Sequence, residues 1–361
     1  MTRTITPVSF FFGANRKHKY VSLFGEAYNP RDGGKHYILK GGPGTGKSTL
    51  MKKLAVELER KGYLVERGYC SADPHSLDMV IAPEINFSIL DGTSPHVLDA
   101  TYPGVTEFVV NLSEAWDKSY LNEYKTAIIN LTDENKKMHK KAADFLCVAS
   151  QLQLENMRYC DGITDKAKLH SFATRICKRE IPAKKGVVGG KCKKRFLSAI
   201  SPDGVVLQYD TIVALSEKII TIGDEYSVCA PYIMSCIADY ATENGYDIYA
   251  CYCPLFPTVK IEHIIIPELK LCFFTENKAH YSLDTESKKI HATRFLNKEN
   301  LAEIKESLRF NKKTQDEMLQ EAVRKISVAK GLHDRLEDYY IRATDFAVID
   351  EITEKLFKEI F

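Results

Sequence analysis

The run Gly41-Gly42-Pro43-Gly44-Thr45-Gly46-Lys47-Ser48-Thr49 constrains the fold of this chain more than any other stretch. It satisfies G-x-x-x-x-G-K-[S/T], the phosphate-binding P-loop, without a mismatch. Its flanks agree: His36 to Lys40 reads as a short strand and Ser48 to Lys61 as a helix. Glycines let the backbone turn tightly and point several N–H groups at phosphate oxygens. The helix N-terminus adds partial positive charge at the same place. Lys47 is the side chain that reaches β- and γ-phosphates in such a loop, and Ser48 supplies the hydroxyl that ligates Mg²⁺. Gly41, Gly42, Pro43, Gly44, Thr45, Gly46, Lys47, Ser48 and Thr49 are therefore the expected nucleotide-binding set, with ATP and Mg²⁺ as ligands.

Downstream, Leu50, Leu54 and Leu58 mark one buried helix face, and Lys61-Gly62 ends the helix. Tyr63 to Tyr69 reads as a second strand, Cys70 to Asp78 as a polar loop, and Ile85 to Leu90 as a third strand closing at Asp91-Gly92. A carboxylate at the end of an apolar strand after a P-loop is what the Walker B position requires, so Lys47 and Asp91 are the expected catalytic pair and Ser48 and Asp91 the metal ligands. The alternative is that Asp91 only caps the turn at Gly92. Leu112 to Cys177 is helical in pattern. Its apolar seam runs through Leu121, Tyr124, Ile128, Leu131, Met138, Ala142, Phe145, Ala149 and Leu152, with a polar interruption at Asn135. A helical hairpin or bundle packed on its own domain is expected, not a long free coiled coil. Lys178 to Arg195 is rich in lysine, arginine and glycine and reads as a flexible basic linker. Contact of these cations with nucleotide phosphate or nucleic acid stays open. Nucleic acid is the weaker version, because only Phe196 offers an aromatic stacking surface.

The second half repeats the first at a spacing of about 180 residues. Lys218 to Gly223 matches the P-loop strand, Gly245-Tyr246-Asp247-Ile248 matches Gly62-Tyr63-Leu64-Val65, and Ile265-Ile266-Pro267-Glu268-Leu269 matches Ile81-Ala82-Pro83-Glu84-Ile85. Cys253 falls on Cys70 and His280 on His96. The expected fold class is α/β: two tandem P-loop NTPase-like three-layer domains with mainly parallel sheets, each followed by a helical appendage. Residues 1–180 form the active domain with its appendage at 112–177, 181–195 the linker, and 196–361 the degenerate domain with its appendage at 296–361. The second copy lacks the chemistry. Tyr226, Val228, Cys229 and Ala230 stand against Gly44, Gly46, Lys47 and Ser48, and Thr275 against Asp91. Asp224 and Glu225 in that loop repel phosphate.

A net charge of +2 over 361 residues gives no global attraction to nucleic acid or acidic lipid. The ten cysteines are scattered without a C-x-x-C, which fits reduced thiols in a cytosol. Cys251 and Cys253 sit in an apolar strand-like run and lack the second ligand pair of a zinc site. The apolar run Val8 to Phe12 is too short for a secretory signal, and no window is long enough to span a bilayer. A cytoplasmic location, no membrane association and room for a protein partner are the corresponding expectations.

The run Phe11-Phe12-Gly13-Ala14-Asn15, the stretch Ile38 to Ser48, Cys70-Ser71-Ala72-Asp73-Pro74, Pro83-Glu84, Asp91-Gly92-Thr93-Ser94-Pro95-His96 and Arg195 to Gly204 together resemble a family of bacterial ATPases with tandem P-loop domains. The resemblance covers nearly the whole chain and implies ATPase activity. Typical members carry a P-loop in both halves, and this chain departs from them in its second. The P-loop is also similar to those of AAA+ ATPases, but their acidic motif ends in Asp-Glu and Asp91 is followed by Gly92. The water-activating base is left among Asp73, Asp78, Glu84 and His96, with His96 discounted because His280 repeats it in the degenerate half. Arg195, or another cation from the second half, is a candidate internal arginine finger. Three functions follow: Mg²⁺-dependent ATP hydrolysis at one N-terminal site with a regulatory or structural C-terminal half, γ-phosphoryl transfer to a small molecule, or an ATP-gated scaffold without catalysis.

Overall fold

A computed structural model of the chain describes residues 7–14, 21–186, 188–281 and 288–361. Asn15 of the N-terminal run and Val187 of the expected linker lie outside the described residues. With 52% of residues in helix and 25% in strand, the fold is α/β. No helix among the described residues is long and apolar enough to cross a membrane.

Two six-stranded, mainly parallel sheets carry the chain. The first has the strand order Val8–Phe11, Glu66–Tyr69, Leu77–Ala82, Phe87–Asp91, Lys35–Lys40, Glu107–Asn111. The second repeats it as Cys192–Arg195, Ile248–Cys253, Phe256–Ile266, Leu271–Glu276, Lys218–Gly223, Lys288–His291. In each, only the third strand in this order runs antiparallel to its neighbours. Two segments with the same order and the same single reversal are two copies of one folding unit, which is the relation the internal repeat predicts.

The reversed strand differs from the sequence expectation. Residues 77–78 belong to it and not to a polar loop. Leu77–Ala82 is buried throughout, so it shows no alternation to read. A 3-10 turn at Pro83–Ile85 and a left-handed Asn86 (φ 47°) then return the chain into Phe87–Asp91. Within the P-loop strand alternation holds. Tyr37 and Leu39 point to a core with Leu50, Met51, Leu54 and Leu58 of the helix Lys47–Arg60. Ile38 points to the other face, where Phe10, Phe12, Tyr249 and Phe274 of both halves share one core.

The helical appendages differ from expectation more strongly. Lys125–Gly162 is one helix of 38 residues, unbroken at Asn135. It lies antiparallel against the 46-residue helix Lys298–Ala343: Asn135 donates to the Ala329 carbonyl at 2.7 Å, and Asn156 to that of Leu308 at 3.3 Å. Asn135 is thus a pairing residue and not a break. Beyond the pair, each chain segment crosses to the opposite half. Lys166–Glu180 seats Leu169, Ala173 and Ile176 against Ile233, Met234 and Ile237 of the second half. Phe346–Ile360 seats Leu356 against the Leu39 and Leu54 core of the first. Tyr37 donates to Glu359 at 3.0 Å at the same contact. Each sheet is therefore covered by the other half's terminal helix, and the expected domains interlock.

The halves also join at their edge strands, where Phe11 and Phe196 exchange backbone hydrogen bonds of 2.8 and 3.1 Å. Cys192–Arg195, expected as linker, is the edge strand of the second sheet. Arg195 is buried and donates to Glu66 at 2.7 and 3.1 Å, while Tyr249 donates to the other Glu66 oxygen at 2.7 Å. Burial raises the Glu66 carboxyl, but Arg195, Lys193 and Tyr249 outweigh it and hold it below the ordinary range. Arg195 is an interface residue, engaged by Glu66, and does not line the cavity over the glycine-rich loop.

Candidate functional site

The loop Gly41–Gly46 leaves the strand Lys35–Lys40, which lies between Phe87–Asp91 and Glu107–Asn111, and enters the helix at Lys47. Gly44 (φ 71°) and Gly46 (φ 81°) are left-handed, a conformation that a Cβ would strain. At Gly44 a Cβ would also meet Ile341 and the Glu337 carbonyl at 2.9 and 3.0 Å, so the second half's long helix presses on the loop. Lys47 curls back, donating to the carbonyls of Gly41 at 2.8 Å and Gly42 at 2.6 Å, and its ammonium lies 3.6 Å from Asp91. Asp91 uses its other oxygen to accept from the Thr93 N–H at 2.8 Å and hydroxyl at 2.5 Å. Both readings of Asp91 therefore coexist: one oxygen caps the turn and the other faces the lysine. The Ser48 hydroxyl accepts from the Leu77 N–H at 3.0 Å, tying the helix to the reversed strand.

A cavity of about 660 Å³ opens over the loop. All nine residues from Gly41 to Thr49 line it, as do Asp91, Asp73, Asp78 and His96. Glu84 does not belong to this wall; it accepts from the Leu64 N–H at 3.1 Å. Asp73 accepts from Ser76 at 2.9 Å and lies 3.5 Å from Lys330. Burial raises its carboxyl, and Ser76 and Lys330 more than offset that, leaving it below its usual value. Asp78 and His96 are 3.2 Å apart, with Cys70 beside them. Burial, with Asp78 next, pushes the Cys70 thiol well above its ordinary range.

The two long helices form the roof, presenting Asn135 and His139 from one and Lys330 and His333 from the other. Burial, with His333 next, holds His139 below the ordinary histidine value. None of the roof residues could be found from local sequence, because they come from helix faces far away in the chain. Cys70 did carry a signal, since Cys253 repeats it. Asp78 was already a candidate base in the sequence, but its grouping with Cys70 and His96, and its counterpart Glu262, escaped because its strand was not read.

The corresponding region of the second half also opens on a cavity, of about 570 Å³, lined by Glu225, Tyr226, Ser227, Lys260, Glu262 and His280, but the loop beneath it differs. Its loop has five residues (224–228) where the first has six (41–46). The buried Asp224 carboxylate accepts from the Ala230 N–H at 2.7 Å, at the head of the helix Cys229–Glu243. A helix N-terminus that holds phosphate elsewhere here holds its own side-chain anion. Burial pushes the Asp224 carboxyl up, against hydrogen bonds from Ala230 and the charge of Lys260. Lys260, also buried, donates to Glu262 at 2.9 Å and Ser227 at 3.0 Å. Fixed charges of both signs are thus built into this half, Asp224 at the helix head and Lys260 on the reversed strand.

No protein-family model, curated protein or solved structure matches the chain.

Proposed function

We propose that the N-terminal half binds a nucleoside triphosphate, ATP in the first instance, with Mg²⁺, and hydrolyses it, while the C-terminal half is a non-binding copy that supplies the roof. The observation that carries this is the meeting of Lys47 and Asp91, 3.6 Å apart, at the floor of a 660 Å³ cavity walled by the glycine-rich loop. The donor set fits the ligand. Loop N–H groups and Lys47 suit the phosphates, and the Ser48 hydroxyl and the Asp91 carboxylate suit an oxygen-preferring cation. When bound, Mg²⁺ would neutralise charge on the phosphate oxygens. Lys47 would release the Gly41 and Gly42 carbonyls and turn its ammonium to the phosphates. Asp91 would remain aimed by Thr93. Lys330 would add a second cation from the roof, and the roof as a whole would exclude water from the site.

The test is acceptor-independent turnover. Purified protein should bind one equivalent of ATP and release ADP and phosphate without any added acceptor, and Lys47→Ala should bind ATP at least about 10-fold more weakly and release no ADP. ATP consumption that requires an added small molecule would replace hydrolysis by phosphoryl transfer. Failure of the unaltered protein to bind any nucleotide would sink both.

A further inference from the structure

We propose that Cys70, Asp78 and His96 form a binding site for a zinc-like divalent transition metal, separate from the nucleotide's Mg²⁺ position. One ligand atom from each lies within 4.8 Å of the other two, and the Asp78 and His96 atoms are 3.2 Å apart. Ligands on a tetrahedral zinc, with bonds of about 2.0–2.3 Å, stand roughly 3.3–3.8 Å from one another. The cluster is therefore near ligation geometry and needs an inward shift of about 1 Å. Sulfur with imidazole and one carboxylate selects zinc, cobalt or iron over magnesium and calcium.

The second half supplies an independent observation. Cys253, Glu262 and His280 occupy the repeat positions of Cys70, Asp78 and His96. There the Lys260 ammonium sits 2.9 Å from Glu262 and 3.9 Å from Cys253, while His280 is 3.6 Å from the same carboxylate. A buried cation is built into the copy that has also built in its own anion at Asp224. In the first half the position of Lys260 is taken by Ser76, whose hydroxyl turns away to Asp73. Among the described residues, no lysine stands at the repeat position of Lys260 in this cluster, and a soluble cation would take the place that the ammonium has in the second half. Cys70, Asp78 and His96 all border the 660 Å³ cavity, so the fourth coordination position faces that space and takes water or a phosphate oxygen. Metal binding displaces the Cys70 thiol proton to solvent and forms the metal–sulfur bond, with no change of oxidation state.

Cobalt(II) is the probe, added to chelator-treated full-length protein without nucleotide. One equivalent should give tetrahedral d–d bands and a thiolate-to-cobalt charge-transfer band, both abolished by excess Zn²⁺. Cys70→Ser should remove the charge-transfer band, and His96→Ala should weaken cobalt affinity at least about 10-fold. Cys253→Ser and Lys47→Ala should leave the band intact. The Lys47→Ala arm keeps this outcome distinct from failure of the nucleotide site. Absence of the band in the unaltered protein, its survival in Cys70→Ser, or its loss in Cys253→Ser would overturn the proposal. Circular dichroism identifies a misfolded variant, and His96→Ala decides the matter if Cys70→Ser is one.

Discussion

Lys47 and Asp91 each have two engagements, and the second one is what a ligand would alter. Lys47 is held by two backbone carbonyls that phosphate oxygens would replace, so its truncation removes charge-assisted bonds of about 1.5–3 kcal/mol. Lys47→Ala should weaken ATP binding at least about 10-fold by fluorescence titration. Asp91→Asn keeps the bond from Thr93 and loses the charge. It should bind ATP normally without Mg²⁺ and hydrolyse it about 100-fold more slowly in single-turnover assays. In the second half, burial raises the Glu262 carboxyl, but Lys260, His280 and His263 overcome this and bring it from 4.5 to about 2. A carboxyl depressed by folding stabilises above its unfolded value and loses that contribution as pH falls through its folded value. The urea midpoint of the protein should therefore fall between pH 4.5 and 2. Glu262→Gln should flatten that fall, and at neutral pH it should cost about 3–5 kcal/mol, because Lys260 is left buried without its anion.

Small residues let the two long helices come close. Ala142, Ala149, Ala322 and Ala329 are buried along them, which fits backbones held near each other along the pair. Enlarging one of these positions forces the helices apart. Ala322→Leu should cost about 1–3 kcal/mol in chemical denaturation and leave helix content by circular dichroism unchanged. The same helix pair carries His139, Lys330 and His333 over the cavity, and Glu337 and Ile341 touch the glycine-rich loop. Any movement of the pair would thus be felt at the backbone of that loop.

The halves exchange their last helices, so neither buries its sheet alone. Leu356 fills the core behind the P-loop strand, and Leu356→Ala should destabilise by about 2–5 kcal/mol, read as a lowered urea midpoint. Residues 1–190 expressed alone should lack cooperative unfolding and bind a dye for exposed apolar surface. Co-expressed with residues 191–361 they should elute as a one-to-one complex, since the swapped helices and the Phe11–Phe196 junction do not depend on the covalent link. Independent cooperative folding of 1–190 would contradict the interlocked arrangement.

What the sequence determined by itself was local or repeated. The loop Gly41–Gly46 needs left-handed glycines and a helix start, and both are set by near neighbours in the chain. The duplication was visible because Cys70 with Cys253, and His96 with His280, keep their spacing. Asn135 shows where this ends. A polar residue in an apolar seam looks like a break, unless the carbonyl of Ala329 lies across from it. Leu77–Ala82 shows the same from the apolar side, since a strand covered on both faces has no alternation to display. The tertiary structure alone decided which helix covers which sheet, that Arg195 meets Glu66, and that Lys260 stands among Cys253, Glu262 and His280. An amphipathic face or a buried charge specifies that a partner is required. Which partner it receives depends on surfaces far away in the chain, brought together when both halves fold against each other.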